Sequence, residues 1–147
     1  MRLSTRLRYG ARAMVELARL QGGGPVSVGL LARRQGLSAK YLEGLMRSLQ
    51  AVGLVRSLRG PQGGYVLARP AAQITLRDLY AALEGGEGLV PCTSDPNHCP
   101  RAASCAMQEV WASFEREMLK YLESITLAQL VERAAALERS QSLDYVI

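Results

Sequence analysis

A chain of 147 residues, 48% apolar and 21% charged, has the size and composition of one globular domain or a small domain plus an accessory element, which excludes a disordered or fibrous chain. No apolar run approaches the ~18 residues that span a bilayer, and the basic N-terminus reads as an amphipathic helix without a signal peptide's apolar core. The expected compartment is therefore the cytoplasm, with no membrane partner. The net charge of +5 is unevenly spread: residues 1–73 hold 12 Lys/Arg against two acids, residues 74–147 six against 11, as if one half meets a polyanion.

Apolar residues at Leu7, Ala11, Met14, Val15 and Ala18 recur at helical spacing and predict a helix from Thr5 to about Leu20, ended by Gly22-Gly23-Gly24-Pro25. Ser27 caps a second, short helix to about Arg34. Gln35-Gly36-Leu37 turns the chain, and Ser38 caps a third helix from Ala39 to Val52. On that helix Leu42, Leu45, Met46 and Leu49 point inward, leaving Lys40, Glu43, Arg47 and Gln50 outside and Tyr41 near the boundary. Leu54–Leu58 and Tyr65–Ala68 read as strands around a Gly-rich turn, Arg59–Gly64. Thr75-Leu76-Arg77-Asp78 has the form of a capping box and opens a helix to about Leu83. Residues 85–104, rich in Gly and Pro, predict an irregular loop. A long helix follows from about Ala106 to Ser124, with Trp111, Phe114, Met118, Tyr121 and Ile125 spaced as a helix–helix seam. Thr126 to Gln129 is another capping box, starting a helix to about Arg139, and the tail is expected to fray.

Two short helices joined by a tight turn, then a hairpin, make a winged helix-turn-helix. The fold class is mainly α with a small β-hairpin wing, plus a long dimerisation helix. The expected organisation is 1–83 for the DNA-binding domain and 84–105 for a cysteine-bearing loop, then 106–140 for the dimerisation and C-terminal helices and 141–147 for a tail. Only the outer side of the second helix of the motif reaches base edges in a major groove. Lys40 and Tyr41 suit phosphates, Lys40 also a guanine edge, and Glu43 can accept from cytosine N4. Arg59 and Gly60 lie at the wing tip, where Arg suits a narrow minor groove. Arg2 and Arg6 supply phosphate contacts near the first helix's start. The Gly-rich wing turn is not a phosphate-binding loop, since no Lys-Ser/Thr follows it and the next segment is a strand.

The chain's three cysteines form the run Cys92-x6-Cys99-x5-Cys105. In a reducing compartment a disulfide is disfavoured, and an odd count leaves one thiol over. Thiolates at this spacing suit a soft site, an iron–sulfur cluster or zinc, and spacing alone does not choose between them.

The segments MRLSTRLRYGARAM, GLSAKYLEGLMRSLQAVGLVRSLRGPQGGYVLARP and ITLRDLYAALEG resemble the Rrf-two family of bacterial regulators, over nearly the whole chain to about Arg139. The resemblance implies a symmetric homodimer, its long helices crossing, that binds a palindromic operator in double-stranded DNA. It places Ser38, Lys40, Tyr41 and Glu43 on the recognition helix and Arg59 on the wing. It also favours an iron–sulfur cluster, [2Fe–2S] or [4Fe–4S], at Cys92, Cys99 and Cys105, because cluster-binding members carry three cysteines in this loop. The fourth ligand departs from the pattern. IscR-like members have a His where this chain has Gln108, and NsrR-like members an Asp where it has Arg8. Local alternatives are His98, Glu109, Asp95 and Gln108 itself, or a group from the partner subunit. The leading expectation is a cluster-sensing repressor or dual regulator, responding to redox state, NO or cluster status. The alternative keeps the fold and places control in zinc, redox thiols or a protein partner. A metalloenzyme or cluster-transfer protein has least support: there is one His, no H-E-x-x-H and no nucleophile elbow, so an enzyme is not expected.

Overall fold

The computed structural model describes residues 2–86 and 88–146. Helix α1 (Thr5–Leu20) starts where the Ser4 hydroxyl accepts from Leu7 N, and it buries Leu7, Ala13, Met14 and Leu17. Helix α2 (Val28–Gln35) is capped by Ser27 and stops at Gly36, whose φ of 65° is left-handed backbone suited to glycine. Ser38 then caps α3 (Ala39–Ala51), which buries Leu42, Leu45, Met46 and Leu49 against α1 and α2. The inward stripe is the one the helical spacing predicts.

Strands β1 (Val55–Leu58) and β2 (Gly64–Leu67) pair antiparallel from Val55↔Leu67 to Leu58↔Gly64. This wing is also fastened to the entry of α2. Val26 N donates to Tyr65 O (2.9 Å) and Tyr65 N to Val26 O (2.8 Å), a bridge between the hairpin and the segment before α2. The bridge brings the Gly64 backbone against that of Val26 and Ser27, an approach with no room for a Cβ.

Helix α4 (Leu76–Glu84) opens on a complete capping box between Thr75 and Asp78. It crosses α1 at Gly10, where any Cβ would meet the Leu83 side chain. A short helix α5 (Pro91–Ser94) and a turn at Ala102–Ser104 give residues 85–104 more local structure than an irregular loop. Their cause is backbone closure, with Asp95 N on Pro91 O and Ser104 N on Arg101 O. The long helix α6 (Ala106–Glu123) is followed by α7 (Leu127–Asp144), which packs along α1.

Two expectations are corrected. The last helix runs to Asp144, well past Arg139, so most of residues 141–147 are helical; Ile147 lies outside the described residues. An ion pair from Arg19 to Glu138 (2.6 Å) ties α7 to α1 just before this stretch. The seam on α6 also divides. Ile125 lies beyond the helix and is buried, and Met118 packs on the core, whereas Trp111, Phe114 and Tyr121 remain 41%, 46% and 64% exposed. The 3-4 spacing continued across a helix end, which a periodicity argument does not see.

Candidate nucleic-acid interface and thiol site

The outer side of α3 follows from its inner side. With four apolar residues turned inward, Ser38, Lys40, Arg47 and Gln50 are exposed and Glu43 is half-buried. Ser38 spends its hydroxyl oxygen on Tyr41 N (3.2 Å) as the helix cap. Tyr41 turns differently from expectation: its ring meets Tyr9 edge-on at 6.2 Å, and its buried hydroxyl has no hydrogen-bond partner among the described residues. It therefore acts first as the brace between α1 and α3. Arg8 and Arg12 stand over the Tyr9 ring at 5.8 and 5.6 Å, so this brace carries two cations on its outer side.

Arg6 is also partly committed inside the chain. Its Nη2 donates to Ser48 Oγ (2.9 Å) and its Nε to Leu83 O (3.4 Å), linking α1 to α3 and to the end of α4. Arg6, Ser38, Lys40, Tyr41 and Gly44 line an open hollow of about 370 Å³ beside the start of α3. Arg59 and Gly60 are exposed at the wing tip, and Arg2 is exposed ahead of α1. The free cations around this surface and the amide end of α3 favour an anionic partner.

Sequence reasoning missed one supporting group. Glu16, only 7% exposed, lies on the inner side of α1 and takes Arg34 of α2 (3.0 Å) and Arg19 (3.5 Å). Arg19 reaches on to Glu138, and this bond, with Arg34 nearby, holds the Glu138 carboxyl below the ordinary carboxylate range. The signal was available: Glu16 falls between buried positions 13, 14 and 17.

The three cysteines sit at successive structural junctions. Cys92 is in α5, Cys99 opens the turn that leads to Ala102, and Cys105 is the cap residue of α6. All three are free thiols and half-buried. Among the described residues no three His, Cys, Asp or Glu side chains are gathered closely enough to hold a metal ion. Of the other expected ligands, His98 and Glu109 are exposed. Asp95 accepts from Asn97 N (2.9 Å), and half-buried Gln108 donates to the Cys92 carbonyl (3.3 Å). By donor chemistry alone, three free thiols suit a soft, thiophilic centre.

Comparison with known proteins bears on both regions. A family model described as "Rrf2: Iron-dependent Transcriptional regulator" matches residues 3–133. The chain is 40% identical to protein rrf2 of Nitratidesulfovibrio vulgaris over 92% of this chain and 90% of that one. Its fold matches that of T. potens IscR with a TM-score of 0.75 at 38% identity, covering 91% of this chain and 88% of that chain. It matches CymR, the global cysteine regulator of B. subtilis, with a TM-score of 0.76 at 35% identity, covering 90% and 98%.

Proposed function

This chain belongs to the Rrf2 family of transcriptional regulators, and on that premise we propose a homodimer whose binding to a palindromic operator is set by an iron–sulfur cluster on Cys92, Cys99 and Cys105. DNA-binding regulation, with no enzymatic activity, is the family's shared class. The observation that carries the finer reading is the pairing of two features: a basic winged helix-turn-helix, and three free thiols beside the N-terminal end of a long helix. The family description, iron-dependent, supports the same metal class.

Lys40, Glu43 and Arg47 would meet the major groove, Ser38 holding the start of their helix in shape. Arg59 and Gly60 would meet the neighbouring minor groove, and Arg2 and Arg8 the phosphates. Tyr41 and Arg6 act from behind by fixing α3 on α1. The dimer rests on α6: Met107, Val110, Trp111 and Phe114 form an exposed apolar strip on the half of the helix away from the core contacts of Met118, Leu119 and Leu122. A strip of this kind suits an isologous contact, and two-fold operators need two-fold proteins. When bound, the cluster supplies a centre whose charge and ligation change with redox state, NO or iron–sulfur supply. The cysteines' part is to convert ligation into a fixed geometry of residues 92–105 at the head of α6.

Anaerobic purification with visible and EPR spectra, followed by operator titration of the wild type and of a variant with all three cysteines changed to Ala, tests the proposal. A coloured wild-type protein with iron and acid-labile sulfide, and an operator affinity that differs between loaded, apo and variant protein, is expected. Equal affinity and sequence preference across all three would refute cluster control. A colourless protein with stoichiometric zinc would move the assignment to the zinc form of the same site.

A further inference from the structure

We propose that Gln108 is a positioning residue of the thiol segment, bonding the backbones of Cys92 and Cys105 at once and so setting the distance between two of the three sulfurs without itself being a ligand. The inference rests on the thiols being the ligand set. Gln108 N donates to Cys105 O (3.1 Å), the first-turn bond of α6, while its side-chain Nε2 donates to Cys92 O (3.3 Å), 16 residues away in sequence. Its chain neighbours Met107 and Glu109 are exposed, but Gln108 is half-buried and faces α5. Helix α5 has four residues and no side-chain cap, far too short to hold its own shape, so contact with α6 fixes it.

The remaining side-chain bonds of the segment are local, each within three residues, and the tie between the other two thiols is made by the main chain. Ala102 N donates to Cys99 O (3.0 Å) and Cys105 N to Ala102 O (3.4 Å), which links the second and third thiols through one turn. Gln108 therefore supplies the tie to Cys92 that a substitution can remove while the backbone is left alone. Its amide also gives the role a distinctive chemistry. A carboxamide can donate to a carbonyl; a carboxylate of the same shape cannot, and it sets a lone pair against the Cys92 oxygen instead. As a metal ligand the order reverses, because an anionic carboxylate is a stronger donor than a neutral amide. Gln108→Glu thus separates the two roles by sign.

The experiment uses full-length apo protein titrated anaerobically with cobalt(II), whose thiolate charge-transfer band reports how many sulfurs bind. Gln108→Ala and Gln108→Glu should each weaken cobalt binding about tenfold, as loss of an outer-shell hydrogen bond does. The band intensity per bound cobalt should stay at the wild-type level, since no sulfur is lost. Cobalt binding by Gln108→Glu as tight as, or tighter than, wild type would make Gln108 a ligand or a bystander and would overturn the proposal. A second measurement needs no metal: alkylation of each cysteine followed by peptide mass spectrometry. Cys92 should react several-fold faster in both variants, with Cys99 and Cys105 unchanged. A Cys92 rate equal to wild type overturns the proposal even where cobalt binding changes. Should the wild type show no thiolate band, the ligand-set reading fails, and the alkylation rates still decide whether Gln108 holds Cys92.

Discussion

Gly64→Ala should detach the wing. An ideal Cβ at this residue would fall on the Val26 carbonyl oxygen, 2.5 Å from the Val26 carbonyl carbon and 2.8 Å from Ser27 N. All three atoms are backbone, so no rotamer change makes room. Either the hairpin shifts outward or the reciprocal pair between Val26 and Tyr65 is lost. Two backbone hydrogen bonds are worth about 1 kcal/mol each net, and overpacking costs about 1–3 kcal/mol, so a loss of about 2 kcal/mol is expected. At roughly 3 °C per kcal/mol for a chain of this size, the melting midpoint should fall by about 6 °C at fixed protein concentration. Gly22→Ala is the control, since nothing lies within 4 Å of a Cβ there and its φ is not positive. Circular dichroism melts give the midpoint, and fluorescence anisotropy with duplex DNA gives the affinity. Operator affinity should drop as Arg59 leaves its place, with far-UV helicity kept. A Gly64→Ala protein that melts and binds like Gly22→Ala would refute the account of wing docking.

Glu16→Gln should cost about 1–2 kcal/mol, read from urea midpoints: it removes a buried partner, but half-exposed Arg34 can return to water and Arg19 keeps Glu138. No shift in the midpoint would mean that the Glu16 pairs are idle. Glu138, with its carboxyl held low, contributes fully above the unfolded carboxylate pKa and loses its contribution as pH falls through the depressed folded value. Arg19→Gln should bring the Glu138 titration, followed by NMR, back towards the ordinary range; an unmoved titration contradicts the pair. Trp111→Glu with Phe114→Glu should halve the mass seen by sedimentation and flatten the salt dependence of operator binding, because each monomer then meets one half-site's phosphates. A double variant that stays dimeric would place the interface elsewhere.

Most of the fold was legible because its signals are local. Ser27, Ser38, Thr75 and Thr126 accept at helix starts as read from the sequence, and α3 shows its apolar stripe in four residues. Gly36 ends α2 where only a left-handed residue serves well. What escaped was long-range. Tyr41 reads as a boundary phenol free to meet a phosphate until Tyr9, 32 positions earlier, is packed against it. Arg6 reads as a free cation until Ser48 and Leu83 come within reach. The pairing of Glu138 with Arg19 crosses 119 positions, which no local pattern on α7 announces. In the thiol segment, spacing singled out Cys92, Cys99 and Cys105 as candidates, but their approach to one another depends on weak local turns.

The two regions are joined in a manner that makes α6 a lever. Its C-terminal end is pinned: Leu76 N donates to Ile125 O (2.9 Å), Leu127 N donates to Ile74 O (2.8 Å), and Arg77 meets Glu123 (2.9 Å). Met118, Leu119 and Leu122 pack on the core near this pin, while the other end, from Cys105 to Phe114, keeps its apolar residues exposed. At 1.5 Å per residue the arm is about 27 Å long, so a tilt of roughly 5° at the pin moves the thiol end by about 2 Å. The pin opens α4, and α4 packs on both α1 and α3. A change in the geometry of residues 92–105 thus bears on the elements that hold α3, the helix proposed to meet the major groove. A ligand at the thiols can bias operator binding only by as much as it prefers one setting of this arm over another, and a tenfold effect needs about 1.4 kcal/mol. That is the scale of one hydrogen bond, so a tie as small as the one from Gln108 to Cys92 is commensurate with the signal.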